Sequence, residues 1–336
     1  MSAERAPLDG VDVLLADLDG VVYKGPDAIP YAVETLNDAA KRGIRVGYIT
    51  NNASRSDSVV ATQLRGFGLE VEPEHVVTSP QAAMRLLVDA VPAGSLILVV
   101  GGEGLTTEVE KAGFRVTRAA SDGPAAVVQG FTPDISWREL AEASFALARD
   151  STGAGIPWIA TNTDWTIPVA GGIAPGNGTL VAAVHTAVGI LPQVAGKPET
   201  PIFEEAVRRF EATNPLFLGD RLDTDILGAN RAGMASAHVL TGIDGPKQLI
   251  AADKDSRPTY LLEDLRGLLE PYPEVTTAKG VTRAGAARVA IRNGRVEVEA
   301  EGDRPIDLLR AACGAIWGSG TPIYALDVPE RLYRSV

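Results

Sequence analysis

Two rhythms of apolar and polar positions run along the chain. Residues 11–16 form a short, mostly apolar run that ends on Asp17, which suits a buried strand and is too short for a helix. A loop containing glycine and proline fills 20–30. Val33, Leu36, Ala39 and Ala40 then recur at helical spacing until Gly43 supplies a left-handed stop. Residues 44–49 read as the next strand, ending on Thr50-Asn51-Asn52, and 56–66 as a second helix. Strand, helix, strand, helix predicts parallel pairing with right-handed crossovers.

The same rhythm resumes late, with a helix near 199–210, a strand at 215–218 ending on Gly219-Asp220, and a helix near 226–232. Between lie strands at 96–100, 125–129 and 158–160 and a long helix over 137–149. The expected fold is α/β: a Rossmann-like, doubly wound parallel sheet core, discontinuous over 1–79 and 186–268, with an inserted α/β cap domain at 80–185. The polar strand ends before and after the insertion are expected to meet at one crevice, where open α/β sheets bind ligands. Beyond the turn-rich Glu270-Pro271-Tyr272-Pro273, residues 275–336 read as a small α+β module. It opens with a hairpin across Asn293-Gly294. A helix from Ile306 to Trp317, closed by Gly318, and a final strand at 323–326 complete it.

Composition narrows the chemistry. A formal net charge of −12 disfavours nucleic acid and anionic membrane as partners, so an anionic substrate must be drawn in by a local cation. No apolar run approaches the roughly 20 residues of a membrane span. The single Cys313 and a start, Met1-Ser2-Ala3-Glu4-Arg5, without a basic flank and apolar core point to a reducing, cytoplasmic setting. A homo-oligomer is compatible with this composition.

Asp17-Leu18-Asp19-Gly20 sits where a buried strand runs out, and alternation puts both carboxylates on one side. Asp17 can attack phosphorus, while Asp19 protonates the leaving alkoxide and later deprotonates water. Anion attacking anion needs a hard cation between them, and Mg²⁺ suits oxygen ligands. Asp220 supplies a further ligand, with Asp225 behind it holding Asp220, a water or Lys197. Thr50, Asn51 and Asn52 offer a hydroxyl, amides and backbone N–H groups at a helix entrance, a phosphate cradle. Lys197, in Gly196-Lys197-Pro198, can balance phosphate charge, and Pro198 rules out a nucleotide P-loop. Read singly, these segments are an acidic turn, a helix cap and a solvated lysine. His75, His185 and His238 have no ligand or triad spacing, and Gly101-Gly102-Glu103-Gly104 reads as a turn.

In this order the four elements resemble the haloacid dehalogenase-like phosphatases, and within them the nitrophenylphosphatase, phosphoglycolate phosphatase and glycerol-3-phosphate phosphatase branch. Thr161-Asn162-Thr163-Asp164 and Ala174-Pro175-Gly176-Asn177-Gly178 look like that branch's large C2-type cap and its return. The resemblance covers about 11–265. It implies Asp17 as nucleophile and metal ligand and Asp19 as acid/base and ligand through its carbonyl. It further implies Thr50 and Asn51 on the phosphate, Lys197 orienting it, and Asp220 on Mg²⁺. The implied substrate is a small phosphorylated metabolite, glycerol 3-phosphate first and 2-phosphoglycolate next. Asn162 and Asp164 are the expected contacts to its hydroxyls. A dehalogenase has no use for Asp19, a phosphotransferase remains an alternative, and a silent regulatory protein fits poorly with the acids and Lys197 intact. The tail's order fits a fragment of an acetyltransferase-like fold, without a glycine-rich cofactor turn.

Overall fold

The computed structural model describes residues 5–148, 155–169 and 171–333. The start of the chain and Arg149, the expected end of the long helix, lie outside them. The chain divides into two compact units, one drawn from Met1–Val46, Phe67–Leu69 and Ala212–Val336, the other from Gly47–Gly66 and Glu70–Glu211. No described helix is long and apolar enough to cross a membrane.

The first unit holds parallel strands in the order Tyr260–Leu262, Ala235–Val239, Pro215–Gly219, Val13–Ala16. All four residues of Val13–Ala16 are fully buried, as an interior parallel strand with both faces covered requires. The helix Ala32–Lys41 follows, and Gly43, at φ +84°, turns the chain out of it as the pattern predicts.

In the tail, four antiparallel strands, Thr276–Ala278, Val281–Ala284, Ala287–Arg292 and Arg295–Ala300, form a meander. Asn293 and Gly294 both take positive φ, and Ile291 pairs Val296, as the two-residue turn demands. The helix Pro305–Ser319 packs on this sheet and ends at Gly320, so Gly318 lies inside it rather than closing it. The final strand expected at 323–326 is instead a 3₁₀ turn, Ile323–Ala325. Ile323 and Leu326, three apart, both pack on the core, which a tight turn permits and strand alternation does not.

The segment beyond the break expected at 275 packs on the first unit's strands and turns. Leu222, Ile226, Leu249 and Leu261 share one buried cluster with the tail's Val289 and Ile316.

The second unit pairs the end of Arg45–Thr50 with Val76–Thr78. Its main sheet is parallel, in the order Gln193–Val194, Trp158–Ala160, Ala126–Gln129, Leu96–Val100, Arg115–Thr117. The helices Trp137–Leu147 and Asn177–Val188 bury Ala143, Leu147, Val181 and Val184 against one face. Ser136 and Glu139 cap the first of these reciprocally, at 3.3 and 2.8 Å.

Candidate active site

In the first unit, two strand ends and one turn gather three carboxylates. Ala16 lies in register with Leu218, so Asp17 and the Gly219-Asp220 pair leave the sheet side by side, with the Asp17 N–H donating to Leu218 O at 2.9 Å. A single π-type turn, Leu222–Ile226, then folds Asp225 back, and its Oδ2 accepts from the Asp220 and Arg221 N–H groups at 3.1 and 3.2 Å. Carboxylate oxygens of Asp17, Asp220 and Asp225 come within 4.8 Å of one another. Asp220 and Asp225 are buried, and Asp17 half-buried. Ionised, each pair at that spacing repels by about 3 kcal/mol at an effective dielectric near 20, so the group calls for a cation. An all-oxygen donor set of this charge fits a hard divalent ion. Asp225 therefore stands with the other two, and its Oδ2 is held by the two backbone N–H groups. Asp19 is exposed to solvent and is not one of the three.

Backbone crowds this cluster. A Cβ on Gly20, itself at φ +82°, would lie 2.3 Å from Asp220 Oδ2, and one on Gly219 would lie 2.3 Å from Asp225 Cβ. One on Gly242 would lie 1.8 Å from Asp220 Oδ2. The loop carrying Gly242 was not foreseen. Its Ile243 N–H donates to Asp220 Oδ2 at 2.7 Å, its Asp244 N–H to Asp220 O at 3.1 Å, and its Thr241 hydroxyl to Gly20 O at 2.6 Å. Asp244 Oδ2 accepts from the Leu222 N–H at 2.7 Å. Residues 241–244 thus tie both acidic loops together. The signal was a strand, Ala235–Val239, running out onto Leu240-Thr241-Gly242, the same strand-polar-glycine pattern that marked Asp17 to Gly20. His238 in that strand is buried, which lowers its pKa, and its Nε2–H donates to Asp244 O at 2.8 Å.

The second unit brings Thr50, Asn51, Asn52, Asn162, Asp164 and Lys197 into one constellation centred on Asn51. Asn51 Oδ1 accepts from the Lys197 N–H at 2.8 Å, and its Nδ2 donates to Lys197 O and to Asp164 Oδ1, both at 3.0 Å. Asn51 O accepts from Asn162 Nδ2 at 2.7 Å and from Ser79 Oγ at 2.8 Å. Asn162 Oδ1 accepts from the Asp164 N–H at 3.2 Å, and Asn177 Nδ2 donates to Asn162 O at 2.7 Å. Thr50 Oγ1 accepts from the Asn52 N–H at 3.1 Å. Lys197 is buried, unlike an ordinary solvated lysine. Asn162, also buried, uses its amide to clasp the Thr50–Asn52 loop and the Asp164 N–H. Sequence reading missed Ser79 and the close approach of Gly196, whose Cβ would sit 2.6 Å from Asn51 Oδ1. His75 and His185 serve local backbone bonds.

A model of haloacid dehalogenase-like hydrolases matches residues 14–115, a second HAD-like hydrolase model matches 194–268, and a GCN5-related N-acetyltransferase-like domain matches 285–327, in keeping with the tail's element order. D-glycerol 3-phosphate phosphatase of Mycobacterium tuberculosis is 40% identical over 327 residues, 96% of this chain and 89% of the relative. Glycerol-3-phosphate phosphatase of Gallus gallus is 37% identical over 71% of this chain and 82% of its own length. Among solved structures, glycerol phosphate phosphatase from Mycobacterium tuberculosis in complex with magnesium superimposes with a TM-score of 0.85 at 38% identity, covering 97% of this chain and 95% of that one. The p-nitrophenyl phosphatase from Archaeoglobus fulgidus follows at 0.69 and 27%, over 77% and 98%. With likeness running through nearly the whole chain, and the acids at the strand ends, the chain belongs to the haloacid dehalogenase-like hydrolases.

Proposed function

We propose that the protein is a Mg²⁺-dependent phosphatase that hydrolyses glycerol 3-phosphate. The observation that carries the substrate is the 40% identity over 96% of the chain to a phosphatase named for that ester, a likeness that extends through the tail. Smaller-scale likeness to nitrophenyl phosphatases supports the chemistry without choosing the alcohol.

In this reading a carboxylate oxygen of Asp17 attacks phosphorus and the ester P–O bond breaks. Asp19 gives its proton to the departing alkoxide, leaving glycerol and an aspartyl-phosphate. Asp19 then takes a proton from water, the resulting hydroxide attacks phosphorus, and inorganic phosphate leaves with Asp17 restored. The exposure of Asp19 suits a group that passes a proton to the leaving alkoxide and takes one from water in each turnover. Asp17, Asp220 and the Asp19 carbonyl would hold Mg²⁺, with the Asp225 carboxylate close by. The ion supplies charge neutralisation for an anionic nucleophile meeting an anionic ester. Lys197, the Thr50 hydroxyl and, through backbone N–H groups of their loop, Asn51 and Asn52 bind the phosphoryl group, and Asp164 is the group we assign to a substrate hydroxyl. Residues 80–185 serve as the cap and 1–79 with 186–268 as the catalytic core. We place the reaction in the cytoplasm, where a lone buried Cys313 stays reduced.

A panel of phosphomonoesters compared by kcat/KM with Mg²⁺ tests the substrate. Glycerol 3-phosphate should lead propyl phosphate and 2-phosphoglycolate. A flat profile, or 2-phosphoglycolate in front, refutes the assignment and leaves the phosphatase intact.

A further inference from the structure

The tail reaches the acid cluster through a short helix. Pro246–Ile250 follows directly on residues 241–244, the loop whose Ile243 N–H holds Asp220 and whose Thr241 holds Gly20. The far end of that helix is fixed to the tail: Trp317 Nε1 donates to Leu249 O at 3.1 Å, and Leu249 and Ile250 lie in the buried cluster shared with Pro305–Ser319. The tail helix is in turn pinned to the parallel sheet, because Arg310 gives two bonds to Leu261 O, at 2.6 and 3.0 Å, and pairs with Asp307 at 2.7 Å. Leu222 and Ile226, which flank Asp225, belong to the same cluster. A displacement of the short helix therefore moves the Ile243 N–H relative to the Asp220 carboxylate and loosens the Asp244 bond to Leu222.

We propose that Trp317 is a positioning residue: by anchoring the helix Pro246–Ile250 to the tail, it fixes the loop at 241–244 and sets the affinity of the Asp17, Asp220 and Asp225 cluster for Mg²⁺. This rests on the reading of that cluster as the metal site. Trp317 touches neither metal ligand nor substrate, so its effect lies in metal binding and not in the chemistry at saturating Mg²⁺.

The test uses the full chain carrying Trp317→Phe, which keeps an aromatic ring and removes the donor. Mg²⁺ binding is measured by calorimetry without substrate, alongside kcat at saturating Mg²⁺ and the melting temperature. Direct partners of metal ligands change affinity by about 10–100-fold, so an anchor one element further out should weaken Mg²⁺ binding by about threefold to tenfold, with kcat within about twofold of the parent. Leu147→Ala, in the separate buried cluster of the second unit, is the control: it lowers the melting temperature and leaves the Mg²⁺ isotherm in place. Trp317→Phe with the parent's Mg²⁺ affinity overturns the proposal, as does Leu147→Ala weakening binding equally at an equal loss of melting temperature. If Trp317→Phe does not fold, Ile250→Val is read by the same criteria. A parent that binds no Mg²⁺ overturns the acid-cluster reading, and the proposal with it.

Discussion

Gly242→Ala tests whether backbone proximity, and not only side-chain chemistry, builds the metal site. The added methyl would stand 1.8 Å from Asp220 Oδ2, 2.3 Å from Cγ and 2.4 Å from Cβ. Ordinary contact begins at about 3.5 Å, so the Asp220 carboxylate or the loop must yield by well over an ångström. The Asp220 side chain is buried and its Oδ2 is held by the Ile243 N–H at 2.7 Å, so that bond goes first and the oxygens of the cluster scatter. Overpacking of this kind costs about 1–3 kcal/mol of stability. A catalytic group misplaced by an ångström costs about 10²-fold in rate, or close to 3 kcal/mol of transition-state stabilisation. The variant should therefore melt lower, bind Mg²⁺ far more weakly by calorimetry, and lose about two orders of magnitude in kcat at cellular Mg²⁺. A Mg²⁺ isotherm that overlays the parent's, in a variant that folds, refutes the reasoning.

Asp17→Asn keeps the shape and removes the nucleophile. Turnover should vanish with the melting temperature near the parent's, and more than a few per cent of kcat remaining would refute the role. EDTA should silence the parent and added Mg²⁺ restore it, a result that activity indifferent to chelation would contradict. Asn162→Ala releases two bonds around the Asn51 loop and should lower kcat/KM by about tenfold for glycerol 3-phosphate, propyl phosphate and nitrophenyl phosphate alike. Asp164→Ala should in addition narrow the gap between the first two, and equal losses on all three remove Asp164 as a selector. Burial holds His238 below its ordinary pKa of 6.5, so the folded state favours the neutral ring. The unfolded chain then gains the proton first, and stability is full above about pH 6.5 and falls on acidification. Melting temperatures taken down through pH 6 should show that decline, and His238→Gln should flatten it.

The strand-end acids were legible because an apolar run stopped by Asp and then Gly is a local pattern, complete within a few residues. Asp225 was legible as an acid but not as a neighbour of Asp17, since its approach depends on a wide turn over Leu222–Ile226 that the composition does not announce. The 241–244 loop offered only a strand running out onto a polar residue and a glycine, and its role was illegible. It acts through two N–H groups, a hydroxyl and the lack of a side chain at Gly242, and what these hold shows only once partners more than twenty residues away are known. The tail divides the same way. Asn293-Gly294 named its turn and register, whereas Thr276–Ala278, exposed at every position, carries no alternation to read. The Trp317 bond to Leu249 joins residues 68 apart, so the expected independence of the tail came from the turn-rich break at 270–273 with nothing local to oppose it.

Asn51 shows what such long-range bonds do to a side-chain reading of function. Its amide looked like a phosphate ligand, yet Oδ1 is occupied by the Lys197 N–H and Nδ2 by Lys197 O and Asp164. An amide used in this way grips the Lys197 backbone from both sides, across 146 residues of sequence. Its contribution to a phosphate is then the placing of Lys197, a buried cation whose reach depends on where its backbone is held, together with the N–H groups of the loop itself. The hydroxyl of Thr50 is the side-chain donor best suited to a phosphate oxygen, because its oxygen already accepts from the Asn52 N–H and the O–H hydrogen points elsewhere. In the proposed function, the loop that the sequence presents as three ligands in a row divides into one donor, one clamp and one turn residue. That division of labour follows from hydrogen-bond capacity, since an amide with both ends satisfied by the protein has little left to offer a ligand.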